Sequence, residues 1–218
     1  MLHSTAMMRL FILLILAVHT APATPEQNNR ENRQEMITMN LYLNSIDDEF
    51  MGCKQQMYCW VTKQLLDTEL SLNENFRDEW NAAKQYFHLE NTKNSHLTVE
   101  QLRRIALRAY TGNKIYSELN NKMREGRGTY MTEFGLISLH FLITDGIQTR
   151  NAEQCPQYKC QTTYRRSKTE IDITDTLVRF GSFASSSLKA TLRHFGNKTC
   201  FIITTCYGVD VSDISMGG

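Results

Sequence analysis

The chain has 218 residues, with 24 basic and 23 acidic side chains, a net charge of +1 and 41% hydrophobic residues. A balance this close to neutral supplies no general attraction to nucleic acid or to an anionic membrane, so any anion site must be local. The length suits one domain with a well-buried core.

At the N-terminus, Arg9 precedes an unbroken apolar run, Leu10 to Val18, which ends near the small residues Ala21 and Ala23. A membrane-spanning helix needs roughly 20 apolar residues and this run is about half that, so the layout predicts a secretory signal peptide over residues 1–23. No later apolar stretch is long enough to span a bilayer or to signal a lipid anchor. Residues 24–40 are polar and proline-containing, and are predicted to be a disordered lead-in. Helical spacing starts after Ser45, whose hydroxyl can cap with Asp48 three residues on, and it puts Ile46, Phe50, Cys53, Met57 and Trp60 on one face. A second set, Phe76, Trp80, Ala83 and Phe87, recurs every three or four residues. Thr98 with Gln101 makes a capping box for a helix carrying Leu102, Ile105, Ala106 and Ala109, stopped by Gly112. Ile115, Leu119 and Met123 predict a short helix, and Phe134, Ile137 and Phe141 a longer one.

After about Gln154 the texture changes to short runs rich in Thr, Val, Ile, Phe and Tyr, punctuated by Gly, Asp and Asn, which is strand and hairpin composition. Strands are expected at Thr162–Tyr164, Thr176–Arg179, Phe183–Ser187, Cys200–Thr205 and Val209–Val211. Cys200 to Ile203 is apolar at successive positions, which predicts a strand covered on both faces. Helices first and strands after give an α+β domain rather than alternating βαβ units.

Gly126-Arg-Gly128 is the nearest approach to a dinucleotide fingerprint, but Met131 replaces its third glycine and the segment lies between predicted helices. A Rossmann site is therefore not expected, and a diphosphate would have to be held by fixed cations and by serine or backbone donors. Tyr164-Arg165-Arg166 offers two guanidiniums on a strand, although solvated charges at a strand edge are the commoner outcome for such a pair. The triplet Ser185-Ser186-Ser187 reads either as a turn or as positioning hydroxyls. Phe183 and Leu188 anchor it in apolar packing, and Gly181 lets backbone approach a ligand. With no G-x-S-x-G elbow around them, these serines do not read as hydrolase nucleophiles. Six cysteines behind a leader predict disulfides, and Asn197-Lys-Thr199 is a glycosylation sequon. Zinc ligation is disfavoured, because Cys53 to Cys59 and Cys155 to Cys160 lack two-residue spacing.

Taken together, Tyr164-Arg165, then Phe183-Ala-Ser185-Ser-Ser187, then Thr205-Cys-Tyr-Gly208, with Asp47-Asp48-Glu49-Phe50-Met-Gly-Cys53 and Ala109-Tyr-Thr111 in the helical half, resemble the arginine-specific ecto-ADP-ribosyltransferases in order and spacing. The resemblance implies a helical N-terminal half followed by a β-sandwich core across residues 41–218. It also implies NAD as substrate, no metal, no nucleic acid, and transfer of ADP-ribose to the arginine of an acceptor protein with release of nicotinamide. By resemblance, Arg165 matches the arginine that holds the NAD diphosphate and Ser185 the first serine of the serine-threonine-serine motif, both catalytic assignments. Ser182 and Tyr110 are implied to lie near the nucleotide, Cys160 and Cys206 match the family bridge, and Asn197 is the expected glycan site. A Glu-x-Glu pair, which in the family holds the ribose hydroxyl and aligns the acceptor, has no counterpart before Gly218. The domain is thus expected to be incomplete at its C-terminus, with impaired transfer, the alternative being a catalytically inert secreted protein with an NAD-binding cleft. A secreted product without a membrane span follows, and a lipid anchor would require a longer form.

Overall fold

The computed structural model describes residues 37–154, 160–192 and 196–216, together with the backbone of two short extended stretches, 10–13 and 18–19. Most of the predicted leader and lead-in therefore lies outside the described residues. So does Cys155.

The front half is helical. Helix α1 (Lys54–Trp60) runs through a π-helical turn, Val61–Leu65, into α2 (Leu66–Leu72). The expected start after Ser45 is corrected: Phe50 and Gly52 take left-handed backbone conformations (φ 55° and 80°), which holds the chain in turns up to Cys53. Asp48 caps locally instead, its Oδ1 accepting from the Phe50 amide at 2.7 Å. Helix α3 (Glu74–Tyr86) follows with Asn73 as its N-cap, and it buries Phe76, Trp80 and Ala83 as their spacing predicts. Helix α4 (Val99–Tyr110) has the full capping box, with Thr98 and Gln101 bonding each other's amides at 2.8 and 3.2 Å. Helices α5 (Tyr116–Glu125) and α6 (Ile137–Gln154) complete the layer. The first turn of α6 is capped by a carboxylate from α2: Glu69 accepts from the Ile137 and Ser138 amides and from the Ser138 hydroxyl. Burial raises the pKa of Glu69 against the pull of those donors.

The second half is β structure. The described strands are β1 (Leu10–Leu13), β2 (Val18–His19), β3 (Ile37–Thr38), β4 (Gln161–Ser167), β5 (Ile171–Asp172), β6 (Leu177–Val178), β7 (Ala184–Ser187), β8 (Thr199–Thr205) and β9 (Gly208–Asp210). The main sheet has the order β8-β4-β7-β1-β9, with two-stranded sheets β2-β6 and β3-β5 beside it. Strand β8 lies at the edge of the main sheet, and its apolar run is not covered on both faces as expected but alternates between a buried and an exposed face. Phe201 and Ile203 are buried, while Ile202 is 70% exposed.

One disulfide joins Cys160, just before β4, to Cys206, just after β8, extending the β4–β8 ladder beyond the Gln161↔Thr205 pair. Its 46-residue separation corresponds to about 4 kcal/mol of stabilisation in the chain-entropy model. Cys53, Cys59 and Cys200 are free. Asn197 of the sequon is exposed, next to Thr199, whose hydroxyl bridges the Thr169 carbonyl and the Ile171 amide at 3.0 Å each.

Candidate active site

Strand alternation separates the two neighbouring arginines of β4. Arg166 turns away and donates twice to the Ala190 carbonyl, at 2.7 and 3.1 Å. Arg165 points across the sheet to β7, where Nη1 donates to the Ser185 carbonyl at 2.7 Å. Its guanidinium also lies 5.6 Å from the centre of the Phe180 ring. Burial holds its pKa below that of an ordinary arginine; the Tyr110 phenol offsets this in part and the nearby Arg124 adds to it. No carboxylate among the described residues forms an ion pair with it.

Tyr110, the last residue of α4, reaches the same place from the helical layer. Its ring meets Phe183 edge-on at 5.5 Å, and its hydroxyl lies 3.4 Å from the Phe183 carbonyl and within bonding distance of Asn120 on α5. Burial raises the phenol pKa, while Asn120, Arg165 and the Ser185 hydroxyl pull it down. Ser182 is buried and also donates to the Phe183 carbonyl, at 3.3 Å. Tyr110, Arg165, Ser182 and Ser185 therefore converge on one turn of chain, the entry to β7. Within the triplet Ser185 is the half-buried member, while Ser186 and Ser187 are buried.

The entry turn depends on Gly181, which has φ 65°; a Cβ there would sit 2.7 Å from Cγ of Tyr42 and 3.2 Å from Cγ of Arg124. Gly181 does bring backbone into close approach, and its neighbour is the Tyr42 side chain. Arg124 donates to the Phe180 carbonyl at 3.2 Å and brings a second guanidinium near Arg165. Sequence reading missed Arg124, which sits among the polar residues of the last turn of α5 and carries no local signal. Arg179, a few residues before the triplet, is engaged by Asp47 at 2.6 Å.

Asp210 and Asp213 stand elsewhere in structural roles. Asp210 caps Ser212 through its amide and hydroxyl, at 2.9 and 2.6 Å, and Asp213 pairs with Arg150 at 2.8 Å. Among the described residues, no carboxylate bonds to Arg165, Tyr110 or Ser185, and no group of His, Cys, Asp and Glu side chains is placed to hold a metal ion.

Residues 39–217 match the family model described as NAD:arginine ADP-ribosyltransferase. The chain is 30% identical to the erythroblast NAD(P)(+)--arginine ADP-ribosyltransferase of Gallus gallus, over 93% of this chain and 69% of the relative. It is 31% identical to ecto-ADP-ribosyltransferase 5 of Homo sapiens, over 83% of this chain and 66% of that protein. It therefore spans about two thirds of the length of these relatives. The crystal structure of the eucaryotic mono-ADP-ribosyltransferase ART2.2 superposes with a TM-score of 0.68 at 28% identity, covering 83% of this chain and 80% of that one. A variant of ART2.2 crystallised in complex with NAD gives a TM-score of 0.69 at 29% identity, covering 83% of this chain and 81% of that one.

Proposed function

Because the chain belongs to the NAD:arginine ADP-ribosyltransferase family, we propose that the turn entering β7 is its NAD site. There the C–N bond between nicotinamide and ribose breaks, nicotinamide leaves, and the ribosyl carbon bonds to a guanidinium nitrogen of an acceptor protein, which gives up a proton. The observation that carries this reading is the desolvated Arg165 guanidinium, held by a carbonyl and left without a carboxylate among the described residues. A half-buried, partly desolvated cation in that state gains most from an anion such as a diphosphate. Ser185 supplies a positioning hydroxyl beside it, and Tyr110 and Ser182 fix the turn through the Phe183 carbonyl.

The oxocarbenium-like transition state of glycosidic cleavage calls for a carboxylate near the ribose, which the described residues do not bring to this turn. Transfer by residues 1–218 on their own is accordingly expected to be slow, on the order of 10²-fold below a relative that has such a carboxylate in place. The same feature suits a protein that binds NAD without turnover, and the two are separated by labelled-NAD transfer to agmatine alongside NAD binding. Saturable NAD binding with slow transfer is the expected result, and absence of NAD binding would remove the proposal. In a form with measurable transfer, Arg165→Ala should raise KM for NAD and Ser185→Ala should lower kcat more than it changes KM.

The product enters the secretory route by a leader over residues 1–23, carries a glycan at Asn197 and acts outside the cell. Two human relatives are named ecto- and GPI-linked enzymes. No helix among the described residues is long and apolar enough to cross a membrane.

A further inference from the structure

The last turn of α5 brings a second cation to the turn that enters β7. Arg124 Nε donates to the Phe180 carbonyl at 3.2 Å, while the Arg165 guanidinium lies 5.6 Å from the centre of the Phe180 ring and donates to the Ser185 carbonyl at 2.7 Å. Phe180 thus has one guanidinium at its carbonyl and the other at its ring. The two arginines come from different layers, one from a helix and one from a strand, so it is the fold that sets them on the same turn.

The Arg124 side chain is half-buried and held on three sides. Besides the bond from Nε, its Nη1 donates to the side-chain oxygen of Asn121 at 2.9 Å, and the Tyr42 ring centre lies 6.0 Å from its guanidinium carbon. Tyr42 keeps that position with a left-handed backbone conformation, φ 44°, and with its amide bonded to Asn40 Oδ1 at 2.6 Å. A guanidinium fixed in this way loses little further freedom when it meets a ligand. Neither of its bonds uses Nη2, and neither Arg124 nor Arg165 forms an ion pair among the described residues. Two like charges on one turn repel, and Arg124 adds to the burial that holds the Arg165 pKa down. An anion that carries charge for both relieves that repulsion.

We infer that Arg124 is a second diphosphate anchor, so that Arg165 and Arg124 flank Phe180 and each meets one phosphate group, Arg124 through the Nη2 edge of its fork. The inference rests on the reading of this turn as the NAD site and adds a binding residue to it. Each phosphate of a dinucleotide diphosphate carries a negative charge, so a pair of fixed guanidiniums matches it where Arg165 by itself matches half.

The test is calorimetry on the full disulfide-bonded chain with NAD, ADP-ribose and inorganic pyrophosphate, comparing the unaltered protein with Arg124→Gln and Arg124→Lys. Arg124→Gln should weaken all three ligands by about tenfold or more, and its NAD binding should become less sensitive to added salt. Arg124→Lys keeps the charge without the fork, and should retain the salt sensitivity of the unaltered chain. Unchanged affinity in Arg124→Gln would overturn the inference. A loss with unchanged salt sensitivity would overturn it too, because Arg124 would then act only by holding the Phe180 carbonyl. If the unaltered chain binds pyrophosphate but not NAD, the NAD reading of the turn fails, while the effect of Arg124→Gln on pyrophosphate still decides the second anchor. Binding of neither ligand removes both. Should Arg124→Gln prevent folding, phenylglyoxal modification of the unaltered chain is mapped by mass spectrometry. Pyrophosphate should then slow modification of Arg124 together with Arg165, and protection of Arg165 alone contradicts the pair.

Discussion

In the helical half, Asp145 of α6 is buried and met by three donors, Lys54 at 2.6 Å, Arg103 at 2.6 Å and the Tyr58 hydroxyl at 2.5 Å. In the sheet half, Arg165 is desolvated too, yet it has one carbonyl and two aromatic neighbours, and no acidic partner among the described residues. Burial pushes the Asp145 carboxyl up, but bonds from Lys54, Tyr58 and Arg103 outweigh it and hold the group below the usual carboxylate range. The contrast separates two uses of a desolvated charge, Asp145 buried and Arg165 half-buried. One is closed within the fold and fixes α6 to α1 and α4, while the other is the charge proposed to meet an outside anion.

The contrast can be broken first at Asp145. Asp145→Ala strands Lys54 and Arg103 without their anion, and loss of one member of a buried ionic set costs about 3–5 kcal/mol. Urea denaturation should show a loss of that size, and a change under 1 kcal/mol would mean that solvent already screens the cluster.

A smaller effect is expected at His140, on α6 between the two regions. Its Nδ1 lies 2.9 Å from the Tyr130 hydroxyl, and its ring packs against Phe50 at 5.4 Å and Phe183 at 5.8 Å. Burial pushes its pKa down from 6.5 to about 3, with Asp47 opposing weakly. The unfolded chain therefore binds a proton near pH 6.5 that the folded chain refuses, so stability is full above that pH and falls as the pH is lowered towards 3. Between pH 7 and pH 5 the loss should be about 2 kcal/mol, and in His140→Phe the slope over this window should flatten. An unchanged slope would assign the pH dependence to other groups.

What the sequence disclosed follows from how local each signal is. Phe76, Trp80 and Ala83, and the Thr98–Gln101 box, are set by neighbours within one or two turns, and α3 and α4 formed where periodicity put them. The helix expected after Ser45 had the right spacing, but Phe50 and Gly52 adopt backbone conformations that spacing does not encode. Ser45 itself is buried with its hydroxyl unpartnered, not capping. Likewise, an apolar run tells that a strand exists but not whether both of its faces are covered, and Ile202 lies on the uncovered face. Arg165, Ser182, Ser185 and Tyr110 were singled out from the motif order, and the fold sets them around one turn. Arg124 and the Asp145 cluster were not, because their partners come from segments distant in the chain.

The smallest effect on stability, and the most direct test of the contrast, belongs to Arg165. Arg165→Ala removes a cation with no acid to strand, so the folding free energy should change by about 1 kcal/mol or less. NAD binding, measured by calorimetry on the disulfide-bonded chain, should weaken by about 1.5–3 kcal/mol, a tenfold loss or more. Unchanged NAD affinity together with a large loss of stability would show that Arg165 is a structural charge like those around Asp145, and would contradict the account.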